Sequence, residues 1–150
     1  MKKVAVVYWS GTGNTEAMAT AVAEGAKAAG AEVTVMTSAT FTPDKVDEFD
    51  SIAFGCPSMG DEVLEETEFD PMFTECESKL SGKPIALFGS YGWGSGEWME
   101  SWTERAEDDN ASLAVSYTHL DVYKRQPLIR LAFLFCQLNF KGNQSRCWLL

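Results

Sequence analysis

The sequence predicts an α/β domain built on a doubly wound parallel sheet, for three reasons. Apolar, β-branched runs recur along the chain without alternating with polar residues, as strands buried on both faces do. Segments with helical spacing separate them, which calls for right-handed crossovers and helices on both faces of the sheet. Three of the runs end in loops rich in glycine, hydroxyl and aromatic residues, and the carboxyl ends of strands are where such sheets bind ligands.

The elements follow in order. Residues 3–9 read as a continuous apolar strand. The alanine-rich residues 15–29 read as helix, with Gly30 as its C-terminal stop. A short strand at 32–36 and a helical turn at 43–48 come next, then a third strand at Ser51–Gly55. Asp70 and Pro71 read as an N-cap followed by proline at the first helical position, opening a helix that ends near Leu80 before Ser81-Gly82. A fourth strand is expected at 84–88 and a helix at Glu97–Asp108, with Trp98 and Trp102 on one face. Leu113-Ala114-Val115 begins a fifth strand.

The first strand stops at Ser10-Gly11-Thr12-Gly13-Asn14-Thr15. The turn sits at a helix N-terminus, where unpaired N–H groups and the helix dipole favour an anion. Gly11 and Gly13 allow close backbone approach, and Ser10, Thr12, Asn14 and Thr15 add four hydrogen-bonding side chains. A phosphate is the natural guest; an ordinary well-capped turn is the plainer alternative. The lysine of a P-loop is absent, and Glu16 stands where a dinucleotide fingerprint needs a third glycine. No Lys or Arg lies between Val4 and Ala26, so neutral donors and the dipole would hold the anion, which suits a terminal phosphomonoester.

The second loop is Pro57-Ser58-Met59-Gly60-Asp61-Glu62. Met59 offers an adaptable apolar surface, Gly60 lets a peptide turn over, and Glu62 can accept from a ring N–H. The third loop, Ser90-Tyr91-Gly92-Trp93-Gly94-Ser95-Gly96, holds Trp93 between glycines, where it can stack on a flat heterocycle. Taken singly, Met59 reads more readily as core filler, Trp93 as a capping aromatic and the glycines as loop punctuation. Converging on one rim, the three loops suit a planar ring with a phosphate tail.

These three loops, taken as residues 9–16, 55–60 and 89–99, closely resemble those of the short-chain flavodoxins of anaerobic bacteria, and the resemblance spans residues 1–115. It implies strand order 2-1-3-4-5 and an FMN cofactor. It further implies a low-potential one-electron carrier shuttling between semiquinone and hydroquinone in anaerobic metabolism. Ser10, Gly11, Thr12, Gly13, Asn14 and Thr15 would hold the FMN phosphate. Pro57, Ser58, Met59, Gly60, Asp61 and Glu62, with Ser90, Tyr91, Gly92, Trp93 and Gly96, would hold the ring. Met59 would cover one ring face and Trp93 the other. The Gly60 carbonyl would accept from flavin N5–H after a peptide flip, favouring the neutral semiquinone, and Glu62 would bind the N3 side. An apolar sandwich in acidic surroundings disfavours an anionic reduced ring, by the burial and like-charge logic of pKa shifts.

Charge divides the chain. The whole carries −10, but residues 1–115 hold seven Lys/Arg against twenty-one Asp/Glu, a balance of −14, and residues 116–150 hold five against one, a balance of +4. An acidic body argues against nucleic acid and anionic membranes and favours redox partner proteins with basic docking surfaces. The N-terminus has too short an apolar run for a signal peptide, so a cytoplasmic protein is expected; a monomer is expected as well. Cys56, Cys76, Cys136 and Cys147 show no Cys-x-x-Cys spacing, and the single His119 cannot complete a zinc site, so no metal is expected.

The family pattern breaks after Val115. Ser116-Tyr117-Thr118-His119-Leu120-Asp121-Val122-Tyr123-Lys124-Arg125-Gln126 resembles translated sequencing-adapter read-through. The expected domains are therefore a flavodoxin-like FMN-binding domain at 1–115 and a non-native tail at 116–150. The alternative is a genuine divergent C-terminus whose 128–140 segment replaces the final helix. The apolar run at 128–138 contains Arg130 and is too short to span a membrane. The fifth strand and last helix would then be truncated or replaced, uncovering Phe88 and the Trp98/Trp102 face. No role is assigned to His119, Cys136 or Cys147.

Two other functions compete. An FMN-dependent NAD(P)H:quinone reductase shares the fold, but the chain has no insertion to build a second substrate pocket. A phosphate-responsive regulator needs an acidic cluster where Tyr8-Trp9-Ser10 stands. An electron-transfer flavoprotein rather than an enzyme is the expected reading.

Overall fold

The computed structural model describes residues 1–119 and 147–148. Strand β1 (Lys3–Tyr8) leads into helix α1 (Asn14–Ala28), followed by β2 (Glu32–Thr37), a 3-10 turn at Ser38–Thr40 and a single helical turn, α2 (Pro43–Val46). Then come β3 (Ser51–Gly55), α3 (Phe69–Cys76) with a 3-10 extension at Glu77–Lys79, β4 (Pro84–Ser90), α4 (Glu97–Asp108), β5 (Ser112–His119) and the two-residue β6 (Cys147–Trp148).

The strands form one sheet in the order β2-β1-β3-β4-β5-β6. Every pairing is parallel. The order predicted for the first five strands is observed. Alternate residues of the central strands face opposite layers. Ala5, Val7, Ile52, Phe54, Ile85 and Leu87 face α2, α3 and α4. Val4, Val6, Ala53, Ala86 and Phe88 face α1. The continuous apolar runs are thus explained: both faces are covered, so neither parity can be polar.

Three expectations change. The fifth strand is not a stub: it runs on to His119, with Ser90 opposite His119 and a bulge that skips Ala114. The second half of β5 therefore lies beyond Val115, where the resemblance read from the sequence stops. Ladder hydrogen bonds are made by the backbone, which every residue except proline supplies in full, so β4 can template this strand whatever its side chains. Secondly, Phe88, Trp98 and Trp102 are each 1% exposed, so none is uncovered. Trp102 meets Phe69 and Phe73 edge-on, Trp98 meets Tyr91, and the Phe88 ring lies over Gly55. These described partners lie between Gly55 and Trp102.

Thirdly, α3 starts at Phe69 with Glu68 as N-cap, so Asp70 and Pro71 stand inside the first turn. The true cap is Glu65, which the sequence did not reveal. Its carboxylate accepts from the N–H groups of Thr67 (2.8 Å), Glu68 (2.9 Å) and Phe69 (2.8 Å), and from the Thr67 hydroxyl. Burial alone would raise the Glu65 pKa, but these bonds to its charged form outweigh burial and leave it below the ordinary value. Arg105 of α4 reaches back to α3, pairing with Asp70 at 2.5 Å and with Glu77, over the Phe73 ring. Helices α3 and α4 are thereby joined.

Cys56 and Cys76 are free and buried, as expected of structural thiols. Burial pushes Cys56 up to about 12 and Cys76 to about 11, so both stay protonated and unreactive. Cys136 and the 128–138 run lie outside the described residues.

Candidate functional site

All three predicted loops leave the carboxyl ends of neighbouring strands: 10–13 after β1, 56–68 after β3 and 91–96 after β4. Direct bonds tie them together. Trp9 N–H donates to Gly55 O at 2.9 Å, and Ser58 N–H to Ser90 O at 2.9 Å. The Thr15 and Ser90 hydroxyls pair at 3.0 Å in a buried contact that joins the first loop to the third.

The first loop has the expected form. Gly13 is the N-cap of α1 with φ 95°, a left-handed value that disfavours any side chain, and no side chain caps the helix. Gly13 N–H instead donates to Ser10 Oγ at 3.1 Å. That leaves the Ser10 hydroxyl proton free for a guest. Thr12 and Asn14 are exposed, whereas Thr15 is 1% exposed. A Cβ on Gly11 would stand 3.0 Å from the Trp9 ring, so Trp9 shapes this loop from below, a role its sequence position did not announce.

The second loop is a tight hairpin. Met59 N–H donates to Val63 O at 2.8 Å and Val63 N–H to Met59 O at 3.0 Å. Gly60 at φ 50° and Glu62 at φ 51° turn the chain between them. Pro57 and Ser58 are half-buried, Gly60 and Asp61 exposed. Met59 is 37% exposed and Val63 39%.

In the third loop Ser90 and Gly96 are buried, Tyr91 half-buried and Gly92 exposed, while Trp93 is 62% exposed. Met59 and Trp93 are thus large apolar side chains left to solvent on two loops that are hydrogen-bonded to one another. Glu62 does something sequence reasoning missed. Its Oε1 accepts from the N–H groups of Ser95 (3.1 Å), Gly96 (2.8 Å) and Glu97 (3.1 Å), so the second loop caps α4.

The donor set fits FMN. Neutral hydroxyls and an uncapped helix end suit a phosphomonoester. Two exposed apolar side chains on adjoining loops suit the two faces of a flat ring.

Comparison with known proteins agrees. The family model described as Flavodoxin matches residues 6–128. A curated flavodoxin from Megasphaera elsdenii is 52% identical over 110 residues, covering 73% of this chain and 80% of the relative. One from Clostridium beijerinckii is 50% identical over 100 residues, covering 67% and 72%. The solution structure of two-electron reduced Megasphaera elsdenii flavodoxin superposes with a TM-score of 0.84 at 44% identity, covering 89% of this chain and 98% of that one. The sheet order, the loops at its rim and these likenesses agree: the chain belongs to the flavodoxins, FMN-binding electron carriers.

Proposed function

We propose that this chain carries single electrons between redox proteins with FMN clasped by its three rim loops. Bound FMN supplies the one-electron chemistry; the protein supplies binding, orientation and electrostatics. Ser10, Gly11, Thr12, Gly13, Asn14 and Thr15 would hold the phosphate through hydroxyls, the Asn14 amide and the N–H groups of the first turn of α1. Met59 and Trp93 would cover the ring faces, with Pro57, Ser58, Asp61, Tyr91, Gly92 and Gly96 shaping the pocket and Ser90 fixing its floor. Gly60, already at φ 50°, would turn its carbonyl toward ring N5–H, and Glu62 would accept from the N3 side. The observation that carries this reading is the pair of exposed apolar side chains, Met59 and Trp93, beside a phosphate loop that lacks a cation.

The loop sets the choice of flavin. A helix N-terminus with neutral donors satisfies a terminal phosphomonoester, whereas FAD brings a pyrophosphate and an adenosine. On titration FMN fluorescence is expected to be quenched strongly, with FAD at least about tenfold weaker, equivalent to 1.4 kcal/mol. Equal affinity for the two flavins would count against the loop assignment.

The surface suits partner proteins with basic docking faces, since residues 1–115 carry −14. Among the described residues no helix is long and apolar enough to cross a membrane. A monomeric, cytoplasmic carrier is the proposal these features support.

The division into a 1–115 FMN domain and a 116–150 tail foreign to the fold is also proposed. The abrupt change of charge at residue 116 and the adapter-like peptide support it. If the tail is foreign to the fold, and since the ring partners of Trp98 and Trp102 lie within residues 69–102, deleting residues 127–150 is expected to leave FMN binding within about threefold, near the 0.5 kcal/mol of a neutral change. Loss of both the cooperative melt and FMN binding on deletion would show the tail to be a genuine closing element.

A further inference from the structure

We infer that Glu62 is a positioning residue that locks the Trp93 loop against the second loop before FMN arrives. For its effect on affinity the inference rests on the flavin reading above; the lock itself does not.

Helix α4 has Gly96 at its N-cap, and glycine has no side chain to satisfy the first N–H groups. Glu62, more than thirty residues earlier, supplies the missing acceptor. One oxygen, Oε1, takes the Ser95, Gly96 and Glu97 N–H groups at 3.1, 2.8 and 3.1 Å. A carboxylate on several backbone N–H groups at a helix N-terminus is both charge-assisted and dipole-aligned. Three features single this contact out from a chance cap.

The first is backbone conformation. Glu62 sits at φ 51°, which side-chain-bearing residues rarely adopt, and the Met59–Val63 hairpin bonds hold it there. The second is room. A Cβ on Gly94 would lie 2.6 Å from both Cδ and Oε1 of Glu62, so the carboxylate fits only because residue 94 has none. The third is what the contact anchors. No hydrogen bond links Gly92, Trp93 or Gly94 to other described residues. The loop is held at its near end through Ser90, by Ser58 and Thr15, and at its far end by Glu62. Trp93 hangs between these two anchors. Releasing the far one leaves the indole on a loop of glycines, and ordering that loop then falls to FMN binding itself.

The same segment repeats the device: Glu65, three residues on, caps α3 in the same way. The β3–α3 connection thus sets the N-terminal turns of both α3 and α4, and Arg105 closes the pair from the α4 side.

The test uses the whole chain without FMN. Amide hydrogen exchange is read at Ser95, Gly96 and Glu97, with the β3 amides as a control for global opening. Glu62→Ala is expected to speed exchange at those three amides by about tenfold or more, as losing a charged hydrogen-bond acceptor should. Glu62→Gln keeps an acceptor oxygen and is expected to recover most of the protection; it also gives the answer if the alanine variant fails to fold. Gly94→Ala crowds the carboxylate and is expected to open the same amides. Combined with Glu62→Ala it should add little, because both act through one contact. FMN affinity should follow the order wild type, Glu62→Gln, Glu62→Ala. Exchange at the three amides within about twofold of wild type in Glu62→Ala, or full additivity with Gly94→Ala, would overturn the lock. A protected wild type that binds no FMN would leave the lock standing and remove the flavin reading instead.

Discussion

Gly89→Ala is expected to destabilise the chain by about 3 kcal/mol or more, the top of the usual range for overpacking. Its Cβ would fall 2.0 Å from the backbone oxygen of Cys56 and 2.9 Å from the Trp98 ring. A crowded side chain can change rotamer; the Cys56 carbonyl belongs to a backbone fixed by its neighbours. Cys56 N–H donates to Phe88 O at 3.1 Å, and Ser58 N–H to Ser90 O at 2.9 Å, so the backbone is pinned on both sides of the collision. Relief requires parting β3 from β4 at their carboxyl ends, where the second and third loops depart. Against a total stability of roughly 5–15 kcal/mol the loss is large, and for a chain of this size it lowers the melting temperature by roughly 6–12 °C. A thermal melt of the FMN-free protein and a flavin titration check it together, since FMN binding should weaken as well. A melt within about 0.5 kcal/mol of wild type, the range of a surface change, would mean that the strands are not packed this closely.

Position 89 also marks where sequence reading stops. The glycine was legible as the start of a glycine-rich loop, but its reason lies in a carbonyl thirty-three residues away, which only strand pairing brings near. The strands were legible because burial on both faces leaves no polar alternation in 4–7, 52–54 or 85–88. Helix α1 was legible from its alanines and from Gly30, its C-terminal stop. The start of α3 was not, because its cap lies before the helix: Asp70-Pro71 has the local signature of a start, but Glu65 sets one two residues earlier. Glu62 reads as an acceptor for a ring N–H; the backbone N–H partners it has at the start of α4 are brought to it by tertiary structure, which the sequence does not announce. The stub expected at Leu113–Val115 failed for a related reason. The resemblance read from the sequence stops there, whereas the family model matches to residue 128, and β4 offers a template for seven of the strand's residues through Ser90, whose backbone pairing does not ask for matching side chains.

Two tryptophans five residues apart should separate binding from folding. Trp93 is 62% exposed and Trp98 is 1% exposed, so truncating each removes a different thing. Trp98→Ala empties a site between Tyr91 and the Gly89 backbone, and replacing a buried tryptophan by alanine costs about 3–5 kcal/mol. The melt of the FMN-free chain should fall by roughly 6–20 °C. Part of that is recoverable: the Trp98 Nε1 is buried without a hydrogen-bond partner among the described residues, so Trp98→Phe loses volume but also an unsatisfied donor and should cost less. Trp93→Ala should leave the FMN-free melt within about 0.5 kcal/mol, because little is buried there to lose. Its effect appears only with flavin. Stacking contributes roughly 0.5–1.5 kcal/mol beyond area burial, so affinity should fall at least about two- to tenfold. Measured at a temperature where both variants are folded, Trp93→Ala should weaken FMN more than Trp98→Ala, while the order of the FMN-free melts is reversed. If Trp98→Ala were the more damaging to affinity at unchanged fold, the ring would lie deeper than the rim loops, against α4, and Trp93 would not be its cover.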